Sequence, residues 1–121
     1  MTIVRIDDLS EIQRLPGWFG RYFHTERMTV AHYRFLRDAS IHEHFHPQEE
    51  VYEVLEGELE ITIDGVVNLA CPGVAVIVPP GAKHSVRALT GGRLFVVDCP
   101  RRPEFDGTPD ASESRTREFS R

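Results

Sequence analysis

The stretch DASIHEHFHPQEEVYEVLEG, residues 38–57, decides how this chain is read. From Ile41 to His46 every second residue is a histidine, and a period of two is the mark of a strand because successive side chains leave opposite faces. Alternation puts His42, His44 and His46 on one face of that strand. Pro47 cannot donate to a sheet ladder, so residues 47–49 bend the chain. A second strand over 51–55 then follows Glu50, with Tyr52 on the same face as Glu50 and Glu49 directed away from it.

Working outward, residues 27–37 alternate again, with Ala31, Tyr33 and Phe35 on one face and His32, Arg34 and Leu36 on the other. Residues 59–63 form another strand, and Asp64-Gly65 is a hairpin signal. Residues 74–78 and 94–97 are apolar runs bounded by Gly and Pro, the pattern of buried strands. Short strands at close spacing, with no long amphipathic helix, predict an all-β sandwich or barrel. A short helix is expected over residues 8–13, capped by Asp7 or Asp8, and a strand over 18–23. The chain divides into an N-terminal arm (1–26), a β-rich core (27–100) and a polar tail (101–121), whose low apolar content predicts a poorly ordered end.

Composition narrows the function. The chain has 121 residues, 40% of them hydrophobic and 27% charged, which is enough for one ordinary globular domain. Its formal net charge of −5, with acids and bases interspersed, leaves no basic surface for nucleic acid. No apolar run is long enough for a membrane helix, and the N-terminus lacks a signal-peptide pattern, so a cytoplasmic protein is expected. In that compartment Cys71 and Cys99 are expected as free, half-buried thiols.

The histidines invite a metal reading. Imidazole is a ligand for several transition metals, and histidines two apart on a strand can point nitrogens at one place. Glu50 lies across the Pro47 bend, and His84 follows the turn Pro79-Pro80-Gly81 on a different strand. Taken alone, the triplet is equally compatible with surface histidines or with buried, merely hydrogen-bonded ones.

The spacing of the remaining residues resembles that of the cupin superfamily. Its first motif, G-x5-H-x-H-x3–4-E-x6-G, is matched by His44, His46, Glu50 and Gly57, with Asp38 in place of the leading glycine. Its second, G-x5-P-x-G-x2-H-x3-N, is matched by Gly73, Pro79, Gly81 and His84, with Ala88 in place of the terminal asparagine. The resemblance covers residues 38–88 in motif and about 27–100 in strand pattern. It implies a small single-domain cupin, an RmlC-like jelly roll (double-stranded β-helix) with a short N-terminal arm. It further implies one divalent transition metal (Zn, Ni, Mn, Fe or Co) held by His44, His46, Glu50 and His84. His42 has no counterpart in the motif; it is a candidate acid/base or hydrogen-bond partner, and Tyr52 is a second candidate catalytic residue.

His32, Arg34 and Arg102 are further pocket candidates, an arginine being suited to a carboxylate-bearing substrate. Trp18, Phe19, Tyr22 and Phe23 make the arm aromatic, for packing on the barrel or across a dimer interface. The expected function is a metal-dependent enzyme moving a proton on an oxygenated organic acid or a sugar-derived carbonyl compound, an isomerase or lyase. Bacterial single-domain cupins of uronate degradation are similar in length and in both histidine segments. The alternatives are a non-catalytic small-molecule binder and an oxygen-activating dioxygenase. A small-molecule ligand and a homodimer are the expected partners.

Overall fold

The computed structural model describes residues 3–105. The tail beyond residue 105, whose disorder the composition predicts, lies outside the described residues. Ten strands form two antiparallel sheets. The strands are β1 (Ile12–Leu15), β2 (Trp18–His24), β3 (Thr29–Phe35), β4 (Ser40–His44), β5 (Glu49–Glu56), β6 (Leu59–Ile63), β7 (Val66–Ala70), β8 (Ala75–Val78), β9 (His84–Ala88) and β10 (Gly92–Cys99). The larger sheet has the order β1-β2-β3-β10-β5-β8 and the smaller β4-β9-β6-β7. From β3 onward the chain crosses between the sheets at every step except β6 to β7, as in a jelly roll, and the all-β expectation holds.

The core lies between the sheets, where alternate residues of each strand meet. Trp18, Phe35, Val54 and Leu94 from one sheet face Leu59, Ile61 and Val86 from the other, all buried. The Trp18 indole donates to the Ser40 carbonyl at 3.2 Å, which ties β2 to β4 across the sandwich. Leu59 and Leu94 are essentially without solvent contact. Truncating either to alanine is expected to cost about 2–5 kcal/mol in urea unfolding.

Three details differ from the sequence reading. The helix over residues 8–13 is replaced by a single 3-10 turn, Ile6–Asp8, followed by β1. One helical turn is a costly nucleus with little to propagate it, whereas Ile12 and Gln13 pair with Gly20 and Phe19 of β2. The aromatic arm is thus part of the large sheet, with Trp18 and Tyr22 facing inward. β7 was not singled out because Val66, Val67 and Leu69 carry no alternation; it is an edge strand with all three exposed. The strand predicted over 94–97 extends to Cys99 and carries Asp98 inward.

Asp38 has φ 69° and Gly57 has φ 87°. The position where the cupin pattern has a leading glycine thus adopts the left-handed conformation that Asp tolerates better than most residues. A Cβ on Gly57 would lie 2.6 Å from Thr90 Oγ1 and against the Gly91 carbonyl. Asp38→Gly is therefore expected to leave stability within about 1 kcal/mol. Gly57→Ala is expected to cost at least about 2 kcal/mol, read from the same urea midpoints. Cys71 is half-buried and Cys99 exposed, both free. Among the described residues no helix is long and apolar enough to cross a membrane.

Candidate metal centre

His44 ends β4 and stands directly across from His84 on β9. Between Ile41 and His44 the register shifts: three steps on β4 match two on β9. This β-bulge carries an extra residue and resets the alternation. Ile41 and His44 both turn inward while His42 and Glu43 are both exposed. The expectation that His42 shares a face with His44 and His46 is thereby corrected. The His42 ring lies 6.0 Å from that of His44, and its carbonyl accepts from His44 Nδ1 at 2.8 Å.

His46 sits in the bend after β4, where Gly81 N–H donates to its carbonyl at 2.8 Å. This contact links the first histidine segment to the turn that delivers His84. Glu50, on β5, points into the barrel and is buried. The four side chains expected from the cupin resemblance therefore converge. The ring centroids of His44 and His84 are 4.2 Å apart and those of His46 and His84 4.9 Å. One ligand atom from each histidine lies within 4.8 Å of the others.

The tautomers follow from the backbone. Nδ1 of His44, His46 and His84 donates to the carbonyls of His42, Gln48 and Ala82 at 2.8, 3.1 and 2.9 Å. With Nδ1 carrying the proton, each Nε2 presents a lone pair to the shared centre. His46 Nε2, His84 Nε2 and Glu50 Oε1 are buried and have no hydrogen-bond partner. They face one another at 3.4 Å (His46 to Glu50) and 3.2 Å (His84 to Glu50). Acceptors so placed repel unless a cation lies between them, and three imidazoles with one carboxylate suit a divalent transition metal. Burial pushes the His44 imidazole down to about 4, against the raising effect of the His42 carbonyl, so that ring is neutral and available as a ligand at neutral pH.

A second set of groups adjoins the first. Asp98 is the cross-strand partner of Glu50, and both point inward. Burial, and then the Glu50 charge, push the Asp98 carboxyl up to about 10. Burial would raise Glu50 too, but the hydrogen bond with Asp98 is among the contacts that hold it well below the carboxylate range. Arg102, 1% exposed, places Nη1 3.6 Å from Glu50 Oε2 and 3.4 Å from Asp98 Oδ2. Tyr52 lies beside Glu50 on β5, and burial followed by the two carboxyls drives its phenol well above the usual value, so it remains a donor.

The other candidates fall elsewhere. His32 and Arg34 lie on the outer face of β3, His32 against the Phe95 ring at 5.0 Å and Arg34 paired with Glu11 at 3.0 Å. Inward positions on that strand belong to Ala31, Tyr33 and Phe35, so neither reaches the interior. Glu49 is exposed, as expected. Asp98 was missed, though Leu94, Val96 and Asp98 follow one another at period two, which places a carboxylate on an otherwise apolar inward face.

Comparison with known proteins agrees with this fold. A cupin domain model matches residues 31–99. Among solved structures, an RmlC-like cupin from Shewanella frigidimarina NCIMB 400 is similar over 88% of this chain and 96% of its own, with 23% identity and a TM-score of 0.82. KdgF from Halomonas sp. is similar over 88% of this chain and 99% of its own, with 22% identity and a TM-score of 0.80. Oxalate decarboxylase from Bacillus subtilis, a protein with Mn(II) centres, is similar over 83% of this chain but 30% of its own, with 20% identity and a TM-score of 0.71. At these identities the structural likeness carries the fold alone. No curated protein matches the sequence. With the family match spanning more than half its length and the jelly roll around the histidine cluster, the chain belongs to the cupin domain family.

Proposed function

We propose that this protein is a small metal-dependent enzyme that moves a proton on an oxygenated organic acid or a sugar-derived carbonyl compound. The observation that carries this reading is the convergence of buried, unpartnered His46 Nε2, His84 Nε2 and Glu50 Oε1 on one point, with the neutral His44 beside them. A divalent ion held by His44, His46, Glu50 and His84 supplies Lewis-acid polarisation of a substrate oxygen. Acid/base work then needs a buried group next to the site that can give or take a proton. Asp98, placed against Glu50, is such a group, and Tyr52 adds a hydroxyl donor on the same wall. His42 contributes in this reading through its carbonyl, which orients His44.

The test is proton NMR in D2O. Metal-loaded protein is incubated with a panel of hydroxy acids, 2-oxo acids and uronates, and loss of substrate C–H signals reports exchange. Exchange that depends on metal is expected, with a fall of about 10²–10⁴-fold in Asp98→Asn at unchanged metal content. Saturable binding with no exchange for any compound selects the non-catalytic binder instead. Oxygen consumption with iron but not with zinc selects the dioxygenase, because zinc has no accessible redox change. A homodimer is part of the proposal, since the edge strands β7 and β8 expose Val66, Val67, Leu69 and Ile77. Light scattering is expected to give the dimer mass, and a monomeric mass removes that element.

A further inference from the structure

Arg102 is the least exposed of the large charged side chains, and its contacts are uneven. A guanidinium has five N–H donors in a planar fork. Nη1 points at Glu50 Oε2 and Asp98 Oδ2. Nε donates to Glu104 Oε2 at 2.5 Å. Nη2 is buried and has no hydrogen-bond partner. The Nε–Nη2 edge is one of the two that take a carboxylate through two parallel hydrogen bonds. Glu104 fills only half of it.

The two partners differ in how firmly they are held. Arg102 is anchored apart from Glu104: its backbone N–H donates to Thr29 Oγ1 at 2.8 Å, and Gln48 Nε2 holds the neighbouring Arg101 carbonyl at 3.0 Å. Glu104 stands at the edge, in the 3-10 turn Pro103–Phe105, with its side chain 26% exposed. That turn is fixed through its backbone and ring. Arg14 donates to the Glu104 carbonyl at 3.3 Å, His24 Nε2 lies 3.0 Å from the Phe105 carbonyl, and Phe105 is buried. The Glu104 side chain can therefore rotate into solvent while the turn and Arg102 stay in place.

We propose that the Nε–Nη2 edge of Arg102 is a carboxylate-binding site for a small organic acid, and that Glu104 is the chain's own stand-in, displaced when the acid binds. The inference goes beyond the metal-centre reading and gives this edge a ligand of its own. Glu50 spans the two places: Oε1 faces His46 and His84, while Oε2 faces Arg102. That contact is made by Nη1, the corner of the guanidinium opposite the Nε–Nη2 edge, so an acid at the fork is held on the side away from the histidines. Trp18, Tyr33, Tyr52 and Phe105 wall the interior beside the fork. The void there is about 10 Å³, room for a single water, so the acid must take the place Glu104 now fills.

The experiment titrates full-length, metal-loaded protein with glycolate and with malonate by calorimetry, with Trp18 fluorescence as a second reading because the indole lines the same void. In Glu104→Gln the internal competitor loses its charge, and the acid is expected to bind about tenfold more tightly. In Arg102→Lys the fork is lost while the charge is kept, and binding is expected to weaken about tenfold. Because Arg102→Lys alters a fully buried group, the deciding variant is Glu104→Gln. Unchanged or weaker binding in that variant overturns the proposal, as does failure of both acids to bind any variant. Metal content is measured on the same samples. If the wild type takes up no metal, the metal-centre reading fails, while tighter binding by metal-free Glu104→Gln would still uphold the fork.

Discussion

Protein carrying His44→Ala and His84→Ala together is expected to be purified almost free of transition metal, where the wild type, without a histidine tag, holds about one ion per chain. The reason is geometric. His44 and His84 are direct cross-strand partners on β4 and β9, so the double change removes two of three imidazoles from one side of the centre. What is left, His46 and Glu50, are neighbours along the chain and form an open pair rather than a cage. Each lost ring also frees a carbonyl, of His42 and of Ala82, that had fixed a tautomer. Elemental analysis by inductively coupled plasma mass spectrometry reads the result. Equal metal in both proteins would place the ion elsewhere. A metal-free wild type after reconstitution would leave the barrel a metal-free binding module.

Arg102→Ala is expected to destabilise metal-free protein by about 3–5 kcal/mol, the range for removing one partner of a buried ion pair. Arg102 lies against the buried carboxyls of Glu50 and Asp98, so the substitution strands buried negative charge. Two consequences follow that a simple packing loss does not share. Adding Glu50→Gln to Arg102→Ala is expected to recover much of the loss, because the stranded charge is gone. Loading wild type and Arg102→Ala with metal is expected to narrow the gap, because the ion then balances Glu50. Urea unfolding with and without chelator gives both comparisons. A loss of the same size in all backgrounds would mean that Arg102 acts by filling volume.

The strand pattern and the ligand set were legible in the sequence because both depend on short spacings. Residues 59–63 alternate apolar and polar over their whole length, and the observed strand matches them. His44, His46, Glu50 and His84 lie beside prolines and glycines that bend the chain where the cupin pattern bends it, and all four meet. Asp38 departs from that pattern in residue type yet keeps the left-handed backbone it calls for.

What alternation could not carry is any event that changes its phase. The bulge between Ile41 and His44 adds a residue to β4, and from there back along the strand every facing is reversed, which turned His42 outward. Nor does a strand's own sequence state which strand it will lie against. Asp98 stands far along the chain from Glu50, and only the order β10-β5 within the larger sheet makes them partners. Arg34 and Arg102 were both pocket candidates, and the buried carboxyls of Glu50 and Asp98 are what draw Arg102, and not Arg34, into the barrel. The sequence by itself determined the all-β class, through local periodicity, and the four metal-ligand candidates, through the resemblance of its two motifs to the cupin pattern. Tertiary structure alone decided which acid and which arginine adjoin them, since that depends on sheet order and on the pairing of charges buried together.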